Sequence, residues 1–207
     1  MKKALILHAW FSKPESNWYP WLKSELEKKG YEVWVPQLPT FDGNAPDLET
    51  AIKFITDENF VDKDTVVIGH SLGTLLTMRL AERMQFGQAI LLAAWDYNDL
   101  TPEHKSFWTN MIDHDLCKKN VAKWSALISD NDPYVTKILA GEVADRFGAE
   151  KIYCGAKEHF SQDLGGVAEV PEILRVIRLR YIGNTFEVPY GPREEADDVP
   201  DIFESER

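Results

Sequence analysis

Two cysteines are all that the 207 residues contain, and Cys117 and Cys154 lie far apart in no CxxC spacing. This excludes a disulfide scaffold and suits a reducing compartment. Long apolar runs are missing too: none approaches the roughly 20 residues that crossing a bilayer takes. Met1-Lys2-Lys3 precedes an apolar Ala4–Leu7, but that run ends in His8 without a cleavage pattern and reads as a first strand, not a leader. Positive charge is also in deficit. With 23 Lys and Arg against 34 Asp and Glu, the net charge of -11 argues against nucleic acid or an anionic membrane as partner. A cytoplasmic protein is the expectation.

What is present points to one packed domain. Apolar residues make up 44% of the chain, with 7 Trp, 10 Phe and 7 Tyr, enough for a single substantial core. The domain is expected to span residues 1–181. From 182 to 207 the composition becomes that of an acidic, flexible tail: Glu187, Glu194, Glu195, Asp197, Asp198, Asp201, Glu204 and Glu206 face only Arg193 and Arg207. Such a tail is compatible with a protein partner. Its Phe186, Tyr190 and Phe203 are expected to stay undocked.

Short β-rich runs recur at Ala4–His8, Tyr31–Val35, Thr65–Gly69, Ala89–Ala93, Trp124–Ser129 and Lys151–Cys154. Helical patterns alternate with them. Trp18, Trp21, Leu22 and Leu26 share a face after Asn17 as N-cap, and Leu48, Ile52 and Ile55 follow Pro46. Leu72–Met84 is apolar on more than one face; Thr101-Pro102 opens a helix carrying Phe107, Trp108, Met111 and Ile112; Pro133 opens one closed by Gly148; Pro171 opens the last. Strict alternation predicts an α/β fold with a doubly wound, mostly parallel six-stranded sheet and helices on both faces.

Gly69-His70-Ser71-Leu72-Gly73 fits G-x-S-x-G between the strand-like Val66-Val67-Ile68 and an apolar helix. In that setting the serine stands on a sharp turn, and the small residues two before and two after it let neighbouring elements close in. The helix N-terminus then faces the hydroxyl, where negative charge develops in acyl transfer. A serine needs a base within hydrogen-bond reach and a carboxylate to fix the base's tautomer. Catalytic groups of an open parallel sheet gather beyond the carboxyl ends of its strands. Ser71 leaves the third strand there, Asp130 and Asp132 the fifth, and His159 the sixth.

These residues, with His8-Ala9-Trp10, Pro14-Glu15-Ser16-Asn17-Trp18, Ser129-Asp130-Asn131-Asp132-Pro133-Tyr134-Val135 and His159-Phe160, make the chain resemble the α/β-hydrolase superfamily. Within it, the likeness is to the compact serine hydrolases of the retinoblastoma-binding-protein type. The resemblance runs over roughly the first 180 residues. It implies Ser71 as nucleophile, Asp132 as acid, His159 as base, and an oxyanion hole from the backbone N–H groups of Leu72 and Trp10. Two positions depart from the family pattern, each with another residue where Gly is usual: Ala9, awkward if its backbone requires φ > 0, and Glu158, a carboxylate beside the base.

Of the remaining histidines, His70 is expected to point away from the hydroxyl, His8 to order the oxyanion loop, and His104 to lie on the surface. Asp113-His114-Asp115 with Cys117 reads as a solvated loop, and no metal or cofactor is expected. Trp18, Trp21 and Trp34 read as core. Phe11, Trp95, Tyr97, Trp108, Tyr134 and Phe160 lie beside the catalytic edge and are candidates for an apolar acyl or aryl pocket. The leading expectation is hydrolysis of a small ester, thioester or amide through an acyl-enzyme. The alternative is a catalytically idle hydrolase fold that binds a ligand or protein.

Overall fold

The computed structural model describes residues 2–43 and 45–177, so the expected tail at 182–207 lies outside the described residues. The sheet is built from β1 (Lys2–Leu7), β2 (Tyr31–Trp34), β3 (Val66–His70), β4 (Phe86–Leu92), β5 (Val121–Ile128) and β6 (Glu150–Tyr153). Their order is β2-β1-β3-β4-β5-β6, and every pairing is parallel. The sheet expected to be mostly parallel is wholly so among the described residues. Around it run α1 (Tyr19–Glu27), α2 (Leu48–Asp57), α3 (Leu72–Ala81), α4 (His114–Asn120), α5 (Lys137–Phe147) and α6 (Pro171–Ile177).

Strand side chains alternate between faces, and the two cores follow that alternation. Leu5, Leu7 and Val67 pack with Ile52 of α2, Leu75 of α3 and Val143 of α5. Ala4, Ile6, Val66 and Ile68 point the other way, against Leu22 of α1 and Ile173 of α6. Both faces of the central strands are therefore covered, as their unbroken apolar sequence requires. The chain winds from β1 outward to β2, then crosses back to β3 on the other side of β1. That reversal opens a crevice beyond the carboxyl ends of β1 and β3.

Several helix ends differ from the sequence reading. Pro133 does not open α5: the helix begins four residues on at Lys137, where Thr136 accepts from the Leu139 N–H. Asn17 does not cap α1. It sits at φ 54, and its Oδ1 accepts from the Gln162 N–H at 2.9 Å, spending the side chain on a loop 145 residues away.

The helix expected from Thr101-Pro102 is a 3₁₀ turn, Pro102–Trp108, after which the chain breaks before a separate α4. Phe107 and Ile112 are buried, but Met111 is 86% exposed, so the four expected apolar residues share no face. Asp113 accepts from the Leu116 N–H and caps α4, so the Asp113-His114-Asp115 stretch expected as loop starts a helix.

What holds this 102–113 segment is Arg79 of α3, a fully buried cation. Its guanidinium donates to the Phe107 carbonyl at 2.6 and 3.0 Å and to the Asn110 carbonyl at 2.5 Å, and it pairs with Glu82 at 2.9 Å. Glu82 in turn accepts from the Asp113 N–H. A buried charge is tolerated only when paired and hydrogen-bonded in this way.

Candidate active site

Ser71 joins β3 to α3 at φ 53, ψ −121, a backbone state that costs on the order of 1–3 kcal/mol and needs outside support. Support comes from both ends. The Ser71 N–H donates to the Leu92 carbonyl at the end of β4, and the Ser71 carbonyl accepts from the Thr74 N–H at 2.8 Å and hydroxyl at 2.7 Å. The flanking glycines permit the turn sterically. A Cβ on Gly69 would stand 2.5 Å from the Gly73 carbonyl oxygen, and one on Gly73 would stand 2.2 Å from that of Leu7. The second contact also shows that the first turn of α3 lies against the end of β1.

His159 and Asp132 meet Ser71 at this edge. The Ser71 hydroxyl lies 2.8 Å from His159 Nε2, and His159 Nδ1 lies 2.9 Å from each carboxylate oxygen of Asp132. An ionised carboxylate only accepts, so Nδ1 carries the ring proton and Nε2 is left to accept from Ser71. The Asp132 side chain is only 2% exposed, and its Oδ1 also accepts from the Tyr134 and Val135 N–H groups at 2.9 and 3.0 Å. Those two bonds close a turn before α5; Asp132 is not the helix cap that a start at Pro133 would have made it. Asp130 instead pairs with Lys137 at 2.6 Å and is half exposed.

The loop after β1 lies beside the elbow. His8 donates from Nδ1 to the Ala9 carbonyl at 2.7 Å and accepts from the Leu38 N–H at Nε2, so it orders this loop as expected. Ala9 is not among the positive-φ residues, and the left-handed position falls on Phe11 at φ 58, so alanine is no strain there. Among the described residues neither the Trp10 nor the Leu72 N–H has a backbone acceptor outside regular elements, and the first N–H groups of a helix lack an internal one. Glu158 is the departure that carries strain, at φ 49. It is held reciprocally by Asn131, whose Nδ2 donates to Glu158 Oε1 at 2.6 Å and whose Oδ1 accepts from the Glu158 N–H at 2.8 Å.

The six aromatic candidates separate. Phe11 stacks on Trp10 at 4.6 Å and is 56% exposed; Tyr134 sets its edge to His159 at 5.0 Å and is 63% exposed. Tyr97 is exposed as well. Trp95 is buried in the α3 core and Trp108 lies under Arg79, while Phe160 is fully buried in the α1–α6 core and leaves the pocket set. His104, expected on the surface, is buried: its Nδ1 lies 2.8 Å from Asp99 and its ring sets an edge to Trp10 at 5.0 Å. The signal that could have found it is Asp99 five residues earlier. Cys117 and Cys154 are both buried, and burial pushes each thiol up to about 12, which leaves neither poised as a nucleophile.

A parallel sheet of this order, with a serine on a strained strand–helix turn facing a His–Asp pair, defines a hydrolase of the α/β type. Residues 4–178 match the model of the Serine hydrolase family, and the chain belongs to it. It is 28% identical over 169 residues to the serine hydrolase RBBP9 of Rattus norvegicus, covering 78% of this chain and 85% of the rat protein. The crystal structure of the ydeN gene product from Bacillus subtilis superposes with a TM-score of 0.77 at 22% identity, covering 86% of this chain and 97% of that one. A carboxylesterase structure from Nitrososphaera gargenis superposes at 0.62 with 12% identity, over 86% and 88% of the two chains. Among the described residues no helix is long and apolar enough to cross a membrane.

Proposed function

We propose that this serine hydrolase cleaves a small ester, thioester or amide through an acyl-enzyme on Ser71. The observation that carries the reading is the unbroken line from Ser71 Oγ through His159 to Asp132, at 2.8 and 2.9 Å. His159 Nε2 takes the hydroxyl proton as Oγ attacks the carbonyl carbon, and Asp132 stabilises the imidazolium. The Leu72 and Trp10 N–H groups receive the oxyanion, aided by the N-terminus of α3. His159 then protonates the leaving group. In the second half it deprotonates water, which attacks the acyl carbon and releases Ser71.

The exposed rings of Tyr134, set against His159, and of Phe11, stacked on Trp10, favour an apolar acyl or aryl substituent. Between β4 and β5 the chain offers one short pinned segment and no large lid, which favours soluble substrates over a lipid surface. The test is labelling by a fluorophosphonate probe together with turnover of p-nitrophenyl acetate, for wild type and Ser71→Ala. Rapid labelling and turnover that vanish in Ser71→Ala are expected. A folded, unreactive wild type would favour the idle binding module instead.

A further inference from the structure

Behind the reacting groups lie two fully buried polar side chains that the acyl-transfer steps do not use, Tyr19 at the start of α1 and His70 at the end of β3. The Ala9 N–H donates to the Tyr19 oxygen at 3.0 Å, the Tyr19 hydroxyl lies 2.6 Å from His70 Nδ1, and His70 Nε2 lies 2.7 Å from the backbone carbonyl of His159. The protons in this chain have only one arrangement. A carbonyl only accepts, so Nε2 of His70 carries a proton. Burial, with the neighbouring His159 adding to it, holds His70 down to about 3, so the ring is neutral and Nδ1 is bare. Nδ1 therefore accepts from the Tyr19 hydroxyl, which burial keeps protonated by pushing the phenol up to about 12. The lone pairs of Tyr19 are left for the Ala9 N–H and for Asn17 Nδ2 at 3.4 Å.

Each end of this chain fixes a segment that carries a reacting group. Ala9 precedes Trp10, His70 precedes Ser71, and the accepting carbonyl belongs to His159 itself. The segments come from β1, β3 and the loop after β6, and the two side-chain links span 51 and 89 residues of sequence. We infer that Tyr19 and His70 are positioning residues, a buried hydrogen-bonded brace that sets His159 Nε2 against Ser71 Oγ and holds the Trp10 N–H beside the same point. The inference rests on the acyl-transfer reading for its kinetic consequence. A histidine in the x position of the motif thus acts through the base, although its ring points away from the nucleophile. Neutrality is part of the device, because a second cation 5.7 Å from the His159 ring would oppose formation of the imidazolium.

The experiment compares full-length wild type, Tyr19→Phe, His70→Gln and His70→Leu. It reads p-nitrophenyl acetate kinetics, circular dichroism, and the low-field proton NMR line of the His159 Nδ1–H bonded to Asp132. Tyr19→Phe keeps the ring and loses only the hydroxyl. A misplacement approaching 1 Å is worth on the order of 100-fold, so kcat is expected to fall roughly 10- to 100-fold with KM within about twofold. The His159 Nδ1–H line should broaden through faster exchange. His70→Gln can accept through Oε1 and donate through Nε2, so it should recover most of the kcat that His70→Leu loses. Folded Tyr19→Phe with wild-type kcat overturns the brace, as does His70→Gln no better than His70→Leu. If wild type shows no Ser71-dependent turnover, the hydrolase reading falls on its own. The His159 Nδ1–H line still decides the brace, and an unchanged line in Tyr19→Phe refutes it.

Discussion

Replacing Asp132 by Asn separates the chemistry of this carboxylate from its structural work. Asp132 Oδ1 accepts from Tyr134 and Val135, and an amide oxygen in its place accepts both bonds equally well. Fold stability should therefore change by less than about 1 kcal/mol. The second oxygen, 2.9 Å from His159 Nδ1, becomes an NH2 group. His159 Nδ1 then faces that donor, while Oδ1, also 2.9 Å away, is already occupied by the Tyr134 and Val135 N–H groups, so the balance shifts to the ring that carries its proton on Nε2 and no longer accepts from Ser71. In the serine-protease triad, a different fold with the same chemistry, that wrong tautomer costs about 10⁴ in kcat, or about 5 kcal/mol of transition-state stabilisation. The control is Asp130→Asn, which removes a half-exposed pair with Lys137 worth at most about 1 kcal/mol. Thermal melts and p-nitrophenyl acetate turnover of both variants read the difference. Asp132→Asn should melt near wild type and lose nearly all turnover, while Asp130→Asn loses neither. An active Asp132→Asn beside an inactive Asp130→Asn refutes the assignment of the acid and leaves Ser71 and His159 to be judged separately.

Gly73→Ala places a methyl 2.2 Å from the Leu7 carbonyl oxygen and 2.9 Å from that of His8, both backbone atoms that cannot swing aside. Destabilisation of at least roughly 1–3 kcal/mol is expected in a denaturant titration, with turnover lost in the fraction that folds, because α3 and the Leu72 N–H must retreat from β1. Wild-type stability for this variant would contradict the close approach. Acid should destabilise the fold through His70. Its folded value near 3 lies below the ordinary 6.5, so between those limits the unfolded chain binds a proton that the native one refuses, and stability falls as pH falls. By pH 4 this amounts to on the order of 3 kcal/mol. Folded His70→Gln should show a correspondingly shallower decline of Tm from pH 6.5 to 4, and an identical decline in both proteins would remove His70 as its source.

The fold was legible because the strands are short, apolar on both faces and separated by helical periods, a pattern only a covered parallel sheet satisfies. Six strands were placed, though β4 and β5 each begin three residues earlier than read, at Phe86 and Val121. Their first residues include Gly87, Gln88 and Lys123, whose polarity hides strand structure that the ladder nevertheless imposes. The misplaced start of α5 has a plain cause. Pro133 suits a first helical residue, yet it serves equally well in the turn that Asp132 closes, and Thr136 three residues later is the better cap.

The site was legible to the degree that its chemistry is local. Gly69 and Gly73 announce a close approach by spacing alone, and the contacts a Cβ would make at each show why. Parallel topology, which sends all strand ends to one edge, brings out Ser71, His159 and both Asp130 and Asp132, and the family resemblance is what points to Asp132 within that pair. The pairing of Tyr19 with His70 carried no such mark, because a polar side chain in a single sequence reads as exposed until its partner is known. For Tyr19 the partners lie 10 residues away at Ala9 and 51 away at His70, a pairing no periodicity encodes. Glu158 shows the converse. Its departure from glycine reads as a change of charge beside the base, but the backbone at φ 49 makes it first a matter of strain, and Asn131, which supplies two hydrogen bonds, is what lets glutamate stand there.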